Sequence, residues 1–315
     1  MMGGCFLGID TSNYTTSVAV IAEDGAELAN IKYPLPVKEG ERGLRQSDAL
    51  FSHTVALPKA IERAREVVGS RRIFAVGVSA RPRNVEGSYM PCFLAGVSAA
   101  TALSMGADAP LYQFSHQCGH IMAALYSSGS ESLLASPFYA AHVSGGTTEL
   151  LRVEAEAAGF RATCIGGTKD LNAGQLIDRV GVAMGLSFPC GPAMEKLALA
   201  CEEKIPKRAP RLEGTYVNFS GAENLSLSLF EKTKDKGLTA AFLLSHIGEG
   251  LSRATHACME AFGEAPIVFA GGVMSNSILK ERLGKEFRAF FADPLHSADN
   301  AVGIAVLARK KHLGI

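Results

Sequence analysis

Short apolar runs alternate with longer stretches of helical periodicity along the chain. Residues 5–10 are apolar up to the closing Asp10 and predict a buried strand. A hydroxyl-rich turn follows, Thr11-Ser12-Asn13-Tyr14-Thr15-Thr16. Residues 17–22 and 28–33 predict two more strands, joined by a hairpin turn at Glu23-Asp24-Gly25. A loop rich in Pro, Gly and charge leads to helical periodicity over 47–68, then to a buried strand at 73–78. Arg81-Pro82-Arg83-Asn84 reads as a loop and 90–107 as a buried helix. The apolar run Pro110-Leu111-Tyr112 introduces Ser115, a helix cap, and a helix continuing through Leu125.

The pattern then restarts. Residues 138–143 predict a strand, Ser144-Gly145-Gly146-Thr147-Thr148 a tight loop, and 149–153 a strand again. Both openings read as strand, hydroxyl-bearing turn ending Thr-Thr, and strand, a weak internal duplication. Their glycines and hydroxyls predict backbone amides able to meet phosphate oxygens, although two ordinary hairpins would look the same. A helix is expected over 173–184, then a break and a new helix with Pro192 in its first turn. Residues 217–221 read as a polar loop and 238–262 as a long helix. A strand at 267–270 enters Gly271-Gly272 and a helix, the layout that lets a nucleotide approach a helix start. A short strand at 289–292 precedes a closing helix that ends near His312. Strands alternating with helices define an α/β protein, and two similar halves imply two lobes facing across a cleft.

Composition narrows the function classes. The 315 residues suffice for one large or two medium domains, and Lys+Arg balance Asp+Glu at 31 each, so no global charge excess points to nucleic acid. A local basic set, Arg81, Arg83, Lys204, Lys207, Arg208 and Arg211, is a candidate for RNA phosphates or simply solvated. The first apolar run lacks a basic leader and is interrupted by Asp10, so no signal peptide is expected, and no stretch reads as a membrane span. Seven scattered cysteines without a CxxC pair suit reduced thiols in the cytoplasm.

Chemistry concentrates at Ser115-His116-Gln117-Cys118-Gly119-His120. Two imidazoles four residues apart share a helical face and can hold one divalent metal, or can be satisfied core residues. A third, anionic ligand would have to come from elsewhere. Asp299, expected where the closing helix begins, is well placed for that or for capping.

The ordered set Gly8-Ile9-Asp10-Thr11-Ser12, His116-x-x-x-His120, Val143-Ser144-Gly145-Gly146-Thr147-Thr148, Asp178, Phe188-Pro189-Cys190-Gly191-Pro192, Phe219-Ser220-Gly221, Gly271-Gly272-Val273-x-x-Asn276 and Asp299-Asn300 resembles the TsaD family, once called O-sialoglycoprotein endopeptidases. The resemblance spans nearly the whole chain. It implies a two-lobed actin-like ATPase (ASKHA) fold with a duplicated βββαβα-type core, the first lobe being 1–125 plus 297–315 and the second 126–296. It implies transfer of a threonylcarbamoyl group from threonylcarbamoyl-AMP to N6 of adenosine 37 in tRNA. By match, iron or zinc is held by His116, His120 and Asp299. The adenylate, or an ATP/AMP-type nucleotide, is held by Val143, Ser144, Gly145, Gly146 and Thr147 with Asp178, Gly191 and Asn276. Implied partners are tRNA, a small inactive paralogue and a P-loop ATPase in the cytoplasm, with no membrane; a homodimer is left open. No catalytic base is assigned. The old peptidase label does not fit, because the histidine pair lacks the glutamate of an HExxH helix.

This chain also departs from the family pattern. Asn13-Tyr14-Thr15-Thr16 replaces Cys-Asp-Glu-Thr, and a longer basic loop from Arg81 to Gly87 replaces Gly-Pro-Gly. Thr147 stands for a histidine, Gly174-Gln175 for Gly-Glu, and Cys190 for a glycine. These changes mark a divergent member. Two other readings stay open: an ATPase or phosphotransferase of the same fold with another acceptor, and a non-catalytic scaffold.

Overall fold

The computed structural model describes residues 3–12, 14–36, 44–156 and 159–315. Asn13 of the first turn and residues 37–43 of the charged loop lie outside the described residues. The chain divides into two compact units. One comprises Met1–Glu131, Ala155–Arg161 and Ala298–Ile315; the other comprises Ser132–Glu154 and Ala162–Ser297.

The first unit is built on β1 (Cys5–Asp10), β2 (Thr15–Ala22), β3 (Glu27–Pro34), α1 (Gln46–Val68), β4 (Ile73–Arg81), α2 (Phe93–Ala107), β5 (Leu111–Ser115) and α3 (His116–Ser127). Its five strands lie in the order β3-β2-β1-β4-β5. β2 runs antiparallel to both β1 and β3, while β4 runs parallel to β1 and β5. Alternation assigns the two sheet faces. Leu7, Ile9, Val18, Val20, Val76 and Val78 pack with α1 and α2. The α1 positions Ala49, His53, Leu57, Ala60, Ala64 and Val68 recur every three or four residues, which puts one helical stripe on that face. The stretch Leu111–Ser115, expected only as an apolar lead-in, is a strand that ends where α3 begins. Ser115 caps α3 as expected, its hydroxyl accepting from Cys118 N.

The second unit contains β6 (Phe138–Val143), all but the facing ends of β7 (Thr148–Glu156) and β8 (Gly159–Thr168), α4 (Ala173–Ala183), α5 (Gly191–Leu199), β9 (Arg211–Glu213), β10 (Tyr216–Asn218), α6 (Ser220–Thr233), α7 (Lys236–Phe262), β11 (Ile267–Ala270), α8 (Ser277–Glu286), β12 (Ala289–Phe291) and α9 (Pro294–Ser297). Its sheet order is β12-β11-β6-β7-β8-β10-β9. With the β9–β10 hairpin set aside, the other five strands, read from β8 to β12, repeat the order third-second-first-fourth-fifth of the first sheet. β6 again pairs antiparallel with the next strand and parallel with β11. The duplication suggested by two similar turns is therefore a duplication of whole sheets. Sequence reading missed β8, the β9–β10 hairpin and α6. The 217–221 stretch expected as a polar loop is a three-residue strand, Phe219 at the cap, and the start of α6. Asp170 explains that helix start, since its carboxylate accepts from Phe219 N and Ser220 N at 2.9 Å each. A carboxylate remote in sequence thus does the work that a local cap residue normally does.

The closing helix α10 (Val302–Leu313) returns to the first unit and packs on the β1, β4 and α3 side of its sheet. Glycines make that packing possible. A Cβ on Gly8 would fall 2.4 Å from Ala301 O, and one on Gly77 would fall 2.7 Å from Ile304 O. At Gly303 a Cβ would fall 1.9 Å from Gly119 O, so α3 and α10 touch backbone to backbone. Asp299, expected at the head of this helix, lies before it: the cap position is Ala301, and Asp299 is not part of the helix.

Gly303→Ala should destabilise the first unit by about 2 kcal/mol through overpacking, read as a lower urea midpoint at unchanged m-value. Asp170→Ala should destabilise the second unit by about 1 kcal/mol at neutral pH. Hydrogen bonds from the two α6 amides and from Thr168 outweigh the upward push of burial and hold the Asp170 carboxyl at about 2. That contribution is complete above the unfolded carboxyl value near 4 and disappears as pH falls toward 2. Acid unfolding curves of wild type and Asp170→Ala should therefore converge in that window.

Candidate metal centre and nucleotide-facing residues

His116 and His120 occupy the first and fifth positions of α3, so their rings project from one face, with centroids 4.2 Å apart. The α3–α10 contact carries the segment before α10 across the same face. Asp299 Oδ1 lies 3.3 Å from His120 Nε2 and 3.7 Å from His116 Nε2. Ligand atoms of all three residues fall within 4.8 Å of one another. Donors bound at 2.0–2.1 Å to a tetrahedral zinc sit roughly 3.3 Å apart. Two imidazoles and a carboxylate at this separation fit a divalent cation after a small contraction.

Asp10, quoted within a motif but assigned no role from sequence, supports this centre. His116 Nδ1 donates to Asp10 Oδ2 at 2.8 Å, which directs Nε2 toward Asp299. Ser12 N donates to Asp10 Oδ1 at 2.8 Å, and the Ser12 hydroxyl donates to the same oxygen. Carboxylate, imidazole and ligand position thus form the arrangement that fixes tautomer and ring orientation at metal sites. The signal available in sequence was a carboxylate ending an otherwise apolar strand.

Electrostatics couple these groups. Burial would raise the Asp10 carboxyl, but the His116 charge and hydrogen bonds from His116 and Ser12 hold it well below the usual carboxylate range. Burial opposes the His116 imidazolium, yet Asp10 and then Asp299 raise it to about 9. Burial and repulsion from His116 push His120 down, against the pull of Asp299. Burial raises Asp299, and the His120 hydrogen bond with the two histidine charges more than reverses it. Without metal, a single positive charge on the histidine pair is therefore favoured at His116 over His120.

Three hydroxyls of the first turn are spent inward, those of Thr11, Ser12 and Thr16. The Thr11 hydroxyl donates to Cys92 O and accepts from Gly96 N, and Thr16 bonds His53 Nδ1 at 2.8 Å. Thr11, Ser12 and Thr16 are all buried. The basic loop after β4 is laced onto α3: Arg81 donates twice to Asn84 Oδ1, Asn84 Nδ2 donates to Cys118 Sγ at 3.3 Å, and Gln117 N donates to Pro82 O. Lys204, Lys207, Arg208 and Arg211 are exposed, and Arg211 pairs with Glu213.

The sequence-derived nucleotide residues all lie in the second unit and are linked by a continuous chain of contacts. Val143 ends β6, and Ser144 N donates to Thr147 O to close the turn. Gly145 and Gly146 are exposed at its tip. The start of α4 sits on this turn, with Gly174 N donating to Ser144 O and Ala173 N to Thr148 Oγ1. One helical turn on, Asp178 Oδ1 accepts from Cys190 N at 2.8 Å, beside Gly191 at the start of α5. Burial raises the Asp178 carboxyl against that hydrogen bond. Glu195 of α5 accepts from Ser277 N, next to Asn276, whose Oδ1 caps α8 by accepting from Leu279 N. Gly271 closes the ring, since a Cβ there would fall 2.3 Å from Val143 O. Its φ of 97° is open to glycine at little strain.

Comparison with known proteins adds an independent line. The family model described as TsaD, tRNA N6-adenosine threonylcarbamoyltransferase, matches residues 38–306. The chain is 32% identical to a tRNA N6-adenosine threonylcarbamoyltransferase of Thermus thermophilus, covering 97% of this chain and 92% of that protein. It is 30% identical to the protein of the same name from Streptococcus suis, with 96% and 90% covered. Among solved structures, full-length HypF in its phosphate- and nucleotide-bound form aligns with a TM-score of 0.62 at 14% identity, over 98% of this chain and 46% of HypF. Component A of the (R)-2-hydroxyglutaryl-CoA dehydratase of Acidaminococcus fermentans aligns with a TM-score of 0.57 at 16% identity, over 98% and 99%. These structural likenesses establish the actin-like ATPase fold.

Asp10→Asn should lower divalent-metal affinity by about 10- to 100-fold while leaving the folded state intact. Calorimetric zinc titration, with circular dichroism as the folding control, checks it; unchanged affinity would show that Asp10 does not support the ligand.

Proposed function

The chain belongs to the TsaD family, the tRNA N6-adenosine threonylcarbamoyltransferases, and from that premise we propose how its own residues serve the transfer. The enzyme moves a threonylcarbamoyl group onto N6 of an adenosine in tRNA. We take the acceptor as adenosine 37 and the donor as threonylcarbamoyl-AMP. The observation that carries the reading is the convergence of His116, His120 and Asp299 within one compact unit of a chain so related.

His116 Nε2, His120 Nε2 and an Asp299 oxygen would hold one divalent ion, iron or zinc. When bound, such an ion supplies Lewis-acid stabilisation for negative charge on carbonyl and phosphate oxygens. Asp10 keeps His116 presented in the ligating orientation. In the second unit, the exposed Gly145 and Gly146 place no side chain between the turn and a phosphate. Val143, Ser144 and Thr147 shape that turn. Asp178 spends one oxygen on Cys190 N, and its other oxygen is an acceptor suited to ribose hydroxyls. Gly191 leaves the adjoining helix start open. The Asn276 carbonyl is committed to its helix cap, so its amide nitrogen is the group left to meet ribose or base. An adenine amine is a weak nucleophile, so positioning and electrostatics, rather than a strong base, carry the rate. Beyond tRNA, we propose a small inactive paralogue and a P-loop ATPase as partners, in the cytoplasm. No helix among the described residues is long and apolar enough to cross a membrane.

The test is reconstitution. The full chain, its partner proteins, threonylcarbamoyl-AMP and an unmodified tRNA transcript should yield the modified nucleoside by mass spectrometry. His120→Ala and Asp299→Ala should each reduce the yield at least 100-fold, and chelator should abolish it until metal is restored. Metal- and tRNA-independent ATP turnover without nucleoside product would instead favour a phosphotransferase of this fold. Asp178→Ala should raise the donor KM about tenfold with a smaller change in kcat, because it removes ground-state contacts to the ribose.

A further inference from the structure

The short loop between α4 and α5 turns its largest side chain out into water. Ser187, Phe188 and Pro189 are exposed, while Leu186 before them is half-buried and Cys190 after them is buried. Phe188 is 75% exposed, the most exposed aromatic among the described residues. Single apolar residues at a surface are ordinary and carry no meaning alone. Two features set this one apart.

The first is bracing. Gly185 N donates to Val182 O and Leu186 N to Gly181 O, so the loop leaves α4 tied to its last turn. On the other side, Cys190 N donates to Asp178 Oδ1 at 2.8 Å, and Cys190 O accepts from Met194 N in α5. Gly181 lets Cys190 press onto α4, since a Cβ there would fall 2.4 Å from the Cys190 Cβ. Both anchors lie within two residues of Phe188, and Pro189 adds a fixed φ. The ring is thus presented on a held backbone. A contact surface already in place loses little freedom when a ligand settles on it.

The second is position. The Cys190 amide joins this loop to Asp178, the carboxylate whose spare oxygen suits ribose hydroxyls. The Cα of Phe188 lies at most about 7 Å from that of Cys190. Ring and carboxylate therefore lie within the span of one bound nucleotide. Gly191, at the start of α5, has open space where a side chain would stand. The acceptor of the transfer is an adenosine, and the proposed donor carries another. Every base offers a π face on which an aromatic ring can stack.

We propose that Phe188 is a base-stacking residue, its ring packing on an adenine beside Asp178. The proposal rests on the nucleotide reading of the second unit and gives that site a contact to the base as well as to the ribose. The adenine of the donor and an adenine of the RNA share this chemistry.

The experiment uses the full chain. It contains no tryptophan, so Phe188→Trp adds a single indole whose emission reports stacking directly. The probes are AMP, an unmodified anticodon stem-loop RNA, and ribose 5-phosphate, which lacks a base. Saturable quenching by AMP or by the RNA is expected, and none by ribose 5-phosphate. Phe188→Ala should bind the base-containing ligand roughly 5- to 100-fold more weakly than wild type. Its affinity for ribose 5-phosphate should stay unchanged, which a merely structural role would not produce. Phe188→Tyr should recover most of the loss, and Phe188→Leu should not. A larger loss for AMP assigns the ring to the adenine of the donor; a larger loss for the RNA assigns it to the acceptor strand. The proposal is overturned by unchanged affinity for both in Phe188→Ala, by equal weakening of ribose 5-phosphate, or by full recovery in Phe188→Leu. Asp178→Ala separates it from the ribose contact: if that variant binds every probe like wild type while the Phe188 losses persist, only the ribose contact falls. Wild type that binds none of the probes overturns the nucleotide reading and the stacking with it.

Discussion

The candidate metal centre depends on one close contact, the meeting of α3 and α10 at Gly119 and Gly303. There the two helices approach until a single β-carbon would collide with main-chain oxygen. Gly8 and Gly77 extend the same intimacy to β1 and β4. This packing brings Asp10, His116, His120 and Asp299 into mutual reach, although Asp10 and His116 are 106 positions apart in sequence. Larger residues along this seam would move α10 outward and carry Asp299 away from the imidazoles.

The second unit solves a different problem with similar means. Its turn after β6 is braced by the start of α4 and by Gly271, so the exposed glycines rest on buried backbone contacts. Asp178 and Asn276 each divide their hydrogen-bonding capacity, one atom for the fold and one left over. Such divided side chains hold their own rotamers, which is what positions the spare atom. Asp170 performs a purely architectural version of the same task at the start of α6.

Much of the fold was legible from hydrophobic periodicity. β1, α1, β6 and β11 stand out because buried strands and amphipathic helices impose patterns on apolar positions. The Ser115 cap and Pro192 in the first turn of α5 were readable as local chemistry. The elements that escaped lacked local signals. β10 has three residues, too few for any period, and α6 is started by the remote Asp170. β8 is exposed or half-buried over most of its length, with glycines near its end, which reads as loop until its neighbours in the sheet are known.

The chain by itself determined its family and its duplicated α/β plan, and it singled out two histidines and an aspartate as candidate ligands, because motif order and helical spacing are properties of sequence. It could not determine what those residues meet. That Asp10 orients His116, that the hydroxyls of Thr11, Ser12 and Thr16 are spent inward, and that Asp299 precedes its helix all follow from strand register and from how closely two helices approach. Register and approach are settled by packing between segments far apart in the chain, and no local pattern encodes a distance across that gap.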